Sequence, residues 1–165
     1  VKGIAANYVT KMDGTSIAIA GGYNEGKNFT VDRDDPEEWV VSAQVKSGPF
    51  QVQASYHEID EISTISTGAT AVAGQETVEL GARYTMGKNA FSIILIDAEA
   101  VADTGNAADG DEATTVALAY KRTLGPGVSW SLTGTQFNGD NGVVGAASST
   151  SNSGEALMSR LVVKW

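Results

Sequence analysis

The sequence predicts an all-β fold, an antiparallel up-and-down sheet of about nine strands. Three observations predict it. Apolar and polar residues alternate with period two along almost the whole chain. The connections between alternating stretches are short and long in strict turn. No segment has helical spacing, and the 19 glycines weigh against helix, where each costs about 1 kcal/mol.

The first strand is predicted over 3–12 and the second over 15–25. Met12-Asp13-Gly14-Thr15 joins them, with residue types that tolerate positive φ. Ile17, Ile19 and Tyr23 oppose Ser16, Ala18, Ala20 and Asn24. In the third, 38–47, Trp39, Val41, Ala43 and Val45 oppose Val40, Ser42, Gln44 and Lys46. Ser47-Gly48-Pro49 turns into the fourth, 50–60, where Phe50, Val52, Ala54 and Tyr56 oppose Gln51, Gln53, Ser55 and His57. In the fifth, 76–86, Val78, Leu80, Ala82, Tyr84 and Met86 oppose Glu79, Gly81, Arg83 and Thr85. Gly87-Lys88-Asn89 leads to the sixth, 89–98. Its stretch Phe91–Ile96 is apolar on both parities, which fits packing against an inserted loop or a neighbouring subunit, or simple local tolerance. In the seventh, 113–124, Val116, Leu118 and Tyr120 oppose Ala117, Ala119 and Lys121. Gly125-Pro126-Gly127 leads to the eighth, 127–138, where Val128, Trp130 and Leu132 oppose Ser129, Ser131 and Thr133. The ninth, 155–165, carries Leu157, Ser159, Leu161, Val163 and Trp165 on one parity and Met158, Arg160 and Lys164 on the other. The long connections are Gly26–Glu37, Glu61–Gln75, Glu99–Glu112 and Gly139–Gly154, rich in Asp, Gly, Ser, Thr and Asn.

Composition excludes several functions. A net charge of −9 argues against nucleic acid as a partner. With no cysteine there is neither a disulfide framework nor a thiolate metal site. No run approaches the ~20 apolar residues of a membrane helix. The start, VKGIAANYV, lacks the apolar stretch and cleavage site of a signal peptide, so a signal is removed or the chain begins in mid-protein. No serine elbow, phosphate loop or zinc-protease motif occurs, so neither an enzyme nor a cofactor is expected. The one histidine, His57, reads as a solvated side chain. Asp32, Asp34, Asp35, Glu37 and Glu38 make one acidic loop, and Asp103, Asp109, Asp111 and Glu112 another. Neither has calcium-loop spacing. They read as solvated loops or as places where divalent cations bridge to lipopolysaccharide; no resident metal is assigned.

Two architectures share this alternation. A soluble sandwich buries its apolar faces against each other. A transmembrane β-barrel turns its apolar face to lipid and its polar face to water. Three features favour the barrel. Strands of about ten residues match the ~9–11 that cross a bilayer at a tilt, whereas soluble strands average about 5–6. Short turns gather at one end and long loops at the other. The aromatics Tyr23, Trp39, Phe50, Tyr56, Tyr84, Tyr120, Trp130 and Trp165 sit on the apolar parity near its two ends, as two membrane-interface girdles would. The opposite parity then lines a pore, with Lys46, Gln53, His57, Glu79, Arg83, Lys121, Arg160 and Lys164 as its chemistry-bearing residues. Most of the 20 acids lie toward the long loops. A ring of Lys and Arg would favour anions locally and an acidic mouth would enrich cations; equally, these charges read as solubilising groups in a wide channel of little selectivity.

The terminal strand Glu155–Trp165, the hairpin ALAYKRTLGPGVSW (Ala117–Trp130) and Leu80-Gly81-Ala82-Arg83-Tyr84 resemble the C-terminal half of the general, non-specific diffusion porins of Gram-negative bacteria, especially the alphaproteobacterial kind. The likeness covers nearly all of residues 1–165, as part of a single barrel domain, through loose patterns rather than a fixed fingerprint. It implies the outer membrane, passive diffusion of small hydrophilic solutes and ions, and a homotrimer. It also implies contact with the lipid bilayer and lipopolysaccharide, and a constriction loop in a missing N-terminal half. An apolar, aromatic-tipped last strand resembles the signal read by the barrel-assembly machinery, with Trp165 where the family more often has Phe. Family barrels have an even strand number, so nine strands imply strands eight to sixteen of a 16-stranded barrel. The alternatives are a structural barrel that anchors surface assemblies through its loops, and a secreted soluble β-sandwich binding module.

Overall fold

The computed structural model describes residues 2–26, 35–66, 69–102, 111–141 and 150–164. They form one nine-stranded sheet: β1 (Lys2–Met12), β2 (Thr15–Glu25), β3 (Glu37–Ser47), β4 (Phe50–Ser66), β5 (Ala69–Met86), β6 (Asn89–Ala102), β7 (Glu112–Gly125), β8 (Val128–Asn141) and β9 (Thr150–Val163). Each strand pairs antiparallel with the next in chain order. No helix occurs among the described residues.

Hairpin geometry at the short turns follows from their residues. Asp13 and Gly14 both have positive φ, 47° and 79°, the type I′ pattern whose twist matches the flanking strands. Gly127 has φ 69°, and a Cβ there would run into the Lys164 carbonyl of the neighbouring strand. Lys164 N–H in turn donates to Gly127 O at 2.8 Å. Gly127 therefore fixes where β9 ends against β8.

Strand identity and parity follow the sequence expectation, but several strands are longer. β4 and β5 pair from Ile62↔Ala73 to Ser66↔Ala69, so most of the expected loop Glu61–Gln75 is a continued hairpin, beyond a register shift between Ile59 and Ile62. β6, β8 and β9 extend likewise, to Ala102, Asn141 and back to Thr150. Alternation marks a strand only where its two faces meet different media. A backbone ladder can continue past that point without an amphipathic signature.

The core expected of a soluble domain is missing. Among the described residues, the buried apolar side chains reduce to Ala90, 8% exposed. Val41, Leu80, Leu118 and Leu161 are 43%, 49%, 58% and 62% exposed, with no opposing layer on them. This excludes the β-sandwich alternative, which requires two packed sheets. Along β6 the apolar parity Phe91, Ile93, Leu95 is exposed, while Ser92, Ile94, Ile96 on the other is half-buried. A sheet curled toward its polar face has this pattern.

Candidate functional site

Residues directly opposite one another across all the strands make rows, and side chains in one row share a face. The central row of the apolar face is Tyr8–Ile19–Ala43–Ala54–Leu80–Leu95–Val116–Gln136–Glu155. Toward the short turns lies Phe50–Tyr84–Phe91–Tyr120. Here Phe50 and Tyr84 have ring centroids 4.9 Å apart and Phe91 and Tyr120 5.1 Å. Trp130 stands edge-on to Tyr120 at 5.9 Å. The polar tips of these rings are satisfied sideways: Tyr120 Oη donates to Asn89 Oδ1 at 2.7 Å and Trp130 Nε1 to Ser159 Oγ at 2.9 Å. Toward the long loops, Trp39 packs on Tyr56 at 4.9 Å, and Tyr56 Oη donates to Glu58 Oε2 at 3.0 Å. Seven of the eight aromatics named from sequence lie on this face; Trp165 lies outside the described residues.

A carboxylate collar borders the apolar face at the long-loop end, and sequence reading by strand did not find it. Glu25 pairs with Glu37. Glu58, Glu76, Glu99, Glu112 and Asp140 then stand opposite one another on five adjacent strands. Like charges directly opposed destabilise a sheet, so this row is tolerable only in water. It marks where hydrocarbon stops. On β4, Phe50 and Glu58 enclose the apolar stretch, about 26 Å along the strand at ~3.3 Å per residue.

The collar shifts toward the short turns only near the two ends of the sheet: Glu25 lies in the row of Lys2, Glu58 to Asp140 in the row of Ile4, and Glu155 of β9 in the row of Tyr8.

The second face holds all eight residues named from sequence for the polar side. Gln53 and Gly81 are direct partners. A Cβ on Gly81 would collide with the Gln53 side chain; its absence lets Gln53 lie across β5 and donate from Nε2 to Glu79 Oε1 at 2.9 Å. His57 Nε2 meets Glu38 Oε1 at 2.7 Å, both part-exposed. Lys46, Gln51 and Arg83 share a row, as do Lys121, Ser131 and Arg160. Ile94 lies between Gly81 and Ala117, and fills room that its small neighbours leave. Local packing therefore accounts for one of the two apolar residues on the polar parity of β6. Among the described residues, no three His, Asp or Glu come together as a metal site.

The arrangement is thus one sheet with an apolar band on one side and small, polar and charged groups on the other. Compared with known families, residues 1–142 match the profile described as Gram-negative porin. No curated protein and no solved structure matches the chain.

Proposed function

Because this chain belongs to the Gram-negative porin family, we propose that its polar face lines a water-filled channel for passive diffusion of small hydrophilic solutes and ions. The family places the protein in the bacterial outer membrane and supports a channel rather than an enzyme. The observation that carries the finer reading is the sorting of faces. Large apolar side chains are exposed with nothing packed on them, while the sheltered side bears Ser, Thr, Gln, Ala, Gly, Lys and Arg. Lipid satisfies the first face and water the second.

Residues 1–165 are read here as one portion of a single barrel domain. β1 and β9 are the two edges of the sheet, and both run from the long-loop end to the short-turn end. An antiparallel closure therefore takes an odd number of further strands, and seven would make the 16-stranded barrel that leaves an open channel. The girdle aromatics seat the barrel at the two interfaces. Lipopolysaccharide around the collar, a homotrimer and the barrel-assembly machinery complete the proposed partners.

Planar-bilayer recording of the full-length protein tests this. Stepwise insertion of ohmic, ion-conducting units is expected. A protein that enters membranes and never conducts would instead be a closed anchoring barrel.

A further inference from the structure

The sorting of aromatics has an exception. Among the described aromatic residues, Phe137 alone stands on the polar face, in the row Ser55–Glu79–Ile96–Thr115–Phe137–Gly154. It is 38% exposed. The ring leans over Gly139, two residues further along β8: a Cβ on Gly139 would come within 3.0 Å of the ring Cζ. Directly opposite on β9 is Gly154, whose Cβ position is open space. One glycine therefore seats the ring, and the other leaves it uncovered.

The wall around Phe137 is neutral. Over residues 90–100 of β6, 113–119 of β7, 129–139 of β8 and 152–158 of β9, this face carries no charged side chain. Ile96 stands in the row of Phe137, two strand spacings or about 10 Å away, and Ile94 lies one row nearer the short turns. Ile96 is the residue of β6 that small neighbours do not explain; with Phe137 it makes an interrupted apolar surface. Hydroxyls stand between and beside these groups. Thr115 is the direct partner of Phe137, and Thr135 is the next residue of β8 on this face. Beyond Ile96, the row reaches Glu79, which accepts from Gln53 Nε2 at 2.9 Å.

We propose that Phe137 is a stacking platform for neutral sugar rings in the channel. The proposal rests on the channel reading above and names a solute class for it. A pyranose has an apolar C–H face and a rim of hydroxyls. Its face covers the Phe137 ring, and its rim meets Thr115 and Thr135. Hydroxyls both donate and accept, as do the groups offered here, two threonines and then the amide and carboxylate of Gln53 and Glu79. An ion resting on the same wall would give up hydration with no opposite charge to replace it. Water on the open side keeps binding weak enough for release, which passage requires.

The test records the full-length channel in planar bilayers with D-glucose as probe and sorbitol, an open-chain polyol, as control at equal concentration. Glucose is expected to lower the ion current saturably, and sorbitol only in proportion to the fall in bulk conductivity. F137A is expected to raise the half-blocking glucose concentration about threefold or more, and F137Y to keep the wild-type value. L118A, which removes an apolar side chain from the opposite face, is expected to leave the block unchanged. Equal effects of glucose and sorbitol, an unaltered F137A, or an equal effect of L118A overturns the platform while leaving the channel intact. A block by uridine stronger than that by glucose overturns the sugar class. Absence of conductance overturns the channel reading itself. Should F137A not insert, the wild-type glucose block must persist from about 0.1 M to 1 M KCl, over which screening shortens from about 10 Å to 3 Å; a block lost at high salt depends on charge and overturns the proposal.

Discussion

Ala117 and Leu118 are chain neighbours on β7 and lie on opposite faces. Placing Arg at each in turn tests the sorting of faces with the sequence position almost fixed. Leu118 is 58% exposed on the apolar band, which on β7 runs from Glu112 to Tyr120 and Arg122. It sits about 3 Å along the strand from the middle of that span, at ~3.3 Å per residue. An arginine at bilayer mid-depth costs about 2–4 kcal/mol, or roughly 30- to 1000-fold in the folding equilibrium at ~1.36 kcal/mol per decade. Thr114→Arg, next to the Glu112 collar, is expected to cost at most about 1 kcal/mol. Ala117→Arg projects toward water beside Thr135 and Ile94 and is expected to stay within about 1 kcal/mol. The assay is reversible folding of the full-length barrel into phosphatidylcholine vesicles against guanidinium, read by heat-modifiable migration. Equal costs at 117 and 118, or a larger cost at 117, would refute the argument. So would a series along 114, 116 and 118 without a maximum near the centre.

Three further outcomes follow from the geometry. Gly127→Ala combines positive φ with a collision at the Lys164 carbonyl and is expected to destabilise by about 1–3 kcal/mol; the guanidinium midpoint checks it, and Gly125→Ala, with open space around it, serves as the mild comparison. Gly81→Val displaces the Gln53 side chain from β5 and breaks its bond to Glu79, so single-channel conductance should change with little loss of stability; an unaltered conductance would remove Gly81 from the channel wall. A double-mutant cycle on Phe50 and Tyr84, with centroids 4.9 Å apart, is expected to give about 0.5–1.5 kcal/mol of coupling, against none for Phe50 with Trp39.

Much of this architecture was legible because period two is a local property. Trp39 and Val41 on one parity with Gln44 and Lys46 on the other needed no knowledge of a partner strand. The face of each named residue followed from that alone. What lay out of reach depended on register. The collar Glu58–Glu76–Glu99–Glu112–Asp140 is five residues from five separate strands, and nothing within any one strand announces that they stand side by side. Of the six cations on the polar face toward the short turns, Lys46, Arg83, Lys121, Arg160 and Lys164 were named from sequence. Lys11 was not, because β1 has Val9 and Tyr8 on opposite parities and its alternation is weak. The extension of β4 and β5 beyond Ile59 was missed because a ladder of backbone hydrogen bonds needs no alternating pattern of side chains, and Ser, Thr, Ala and Gly there read as a loop.

The shift of the apolar band at β9 has a consequence for how this chain can vary. Leu80 and Glu155 lie in one row, yet one belongs in oil and the other in water. A hairpin is therefore cut for its own place on the circumference. Moving the β8–β9 unit four strands back, register kept, would put the Glu155 carboxylate where Leu80 stands, in the hydrocarbon. The four similar hairpins look like tiles, but each is trimmed on the bias, and duplicating or shuffling them would demand a compensating slide of two residues or more.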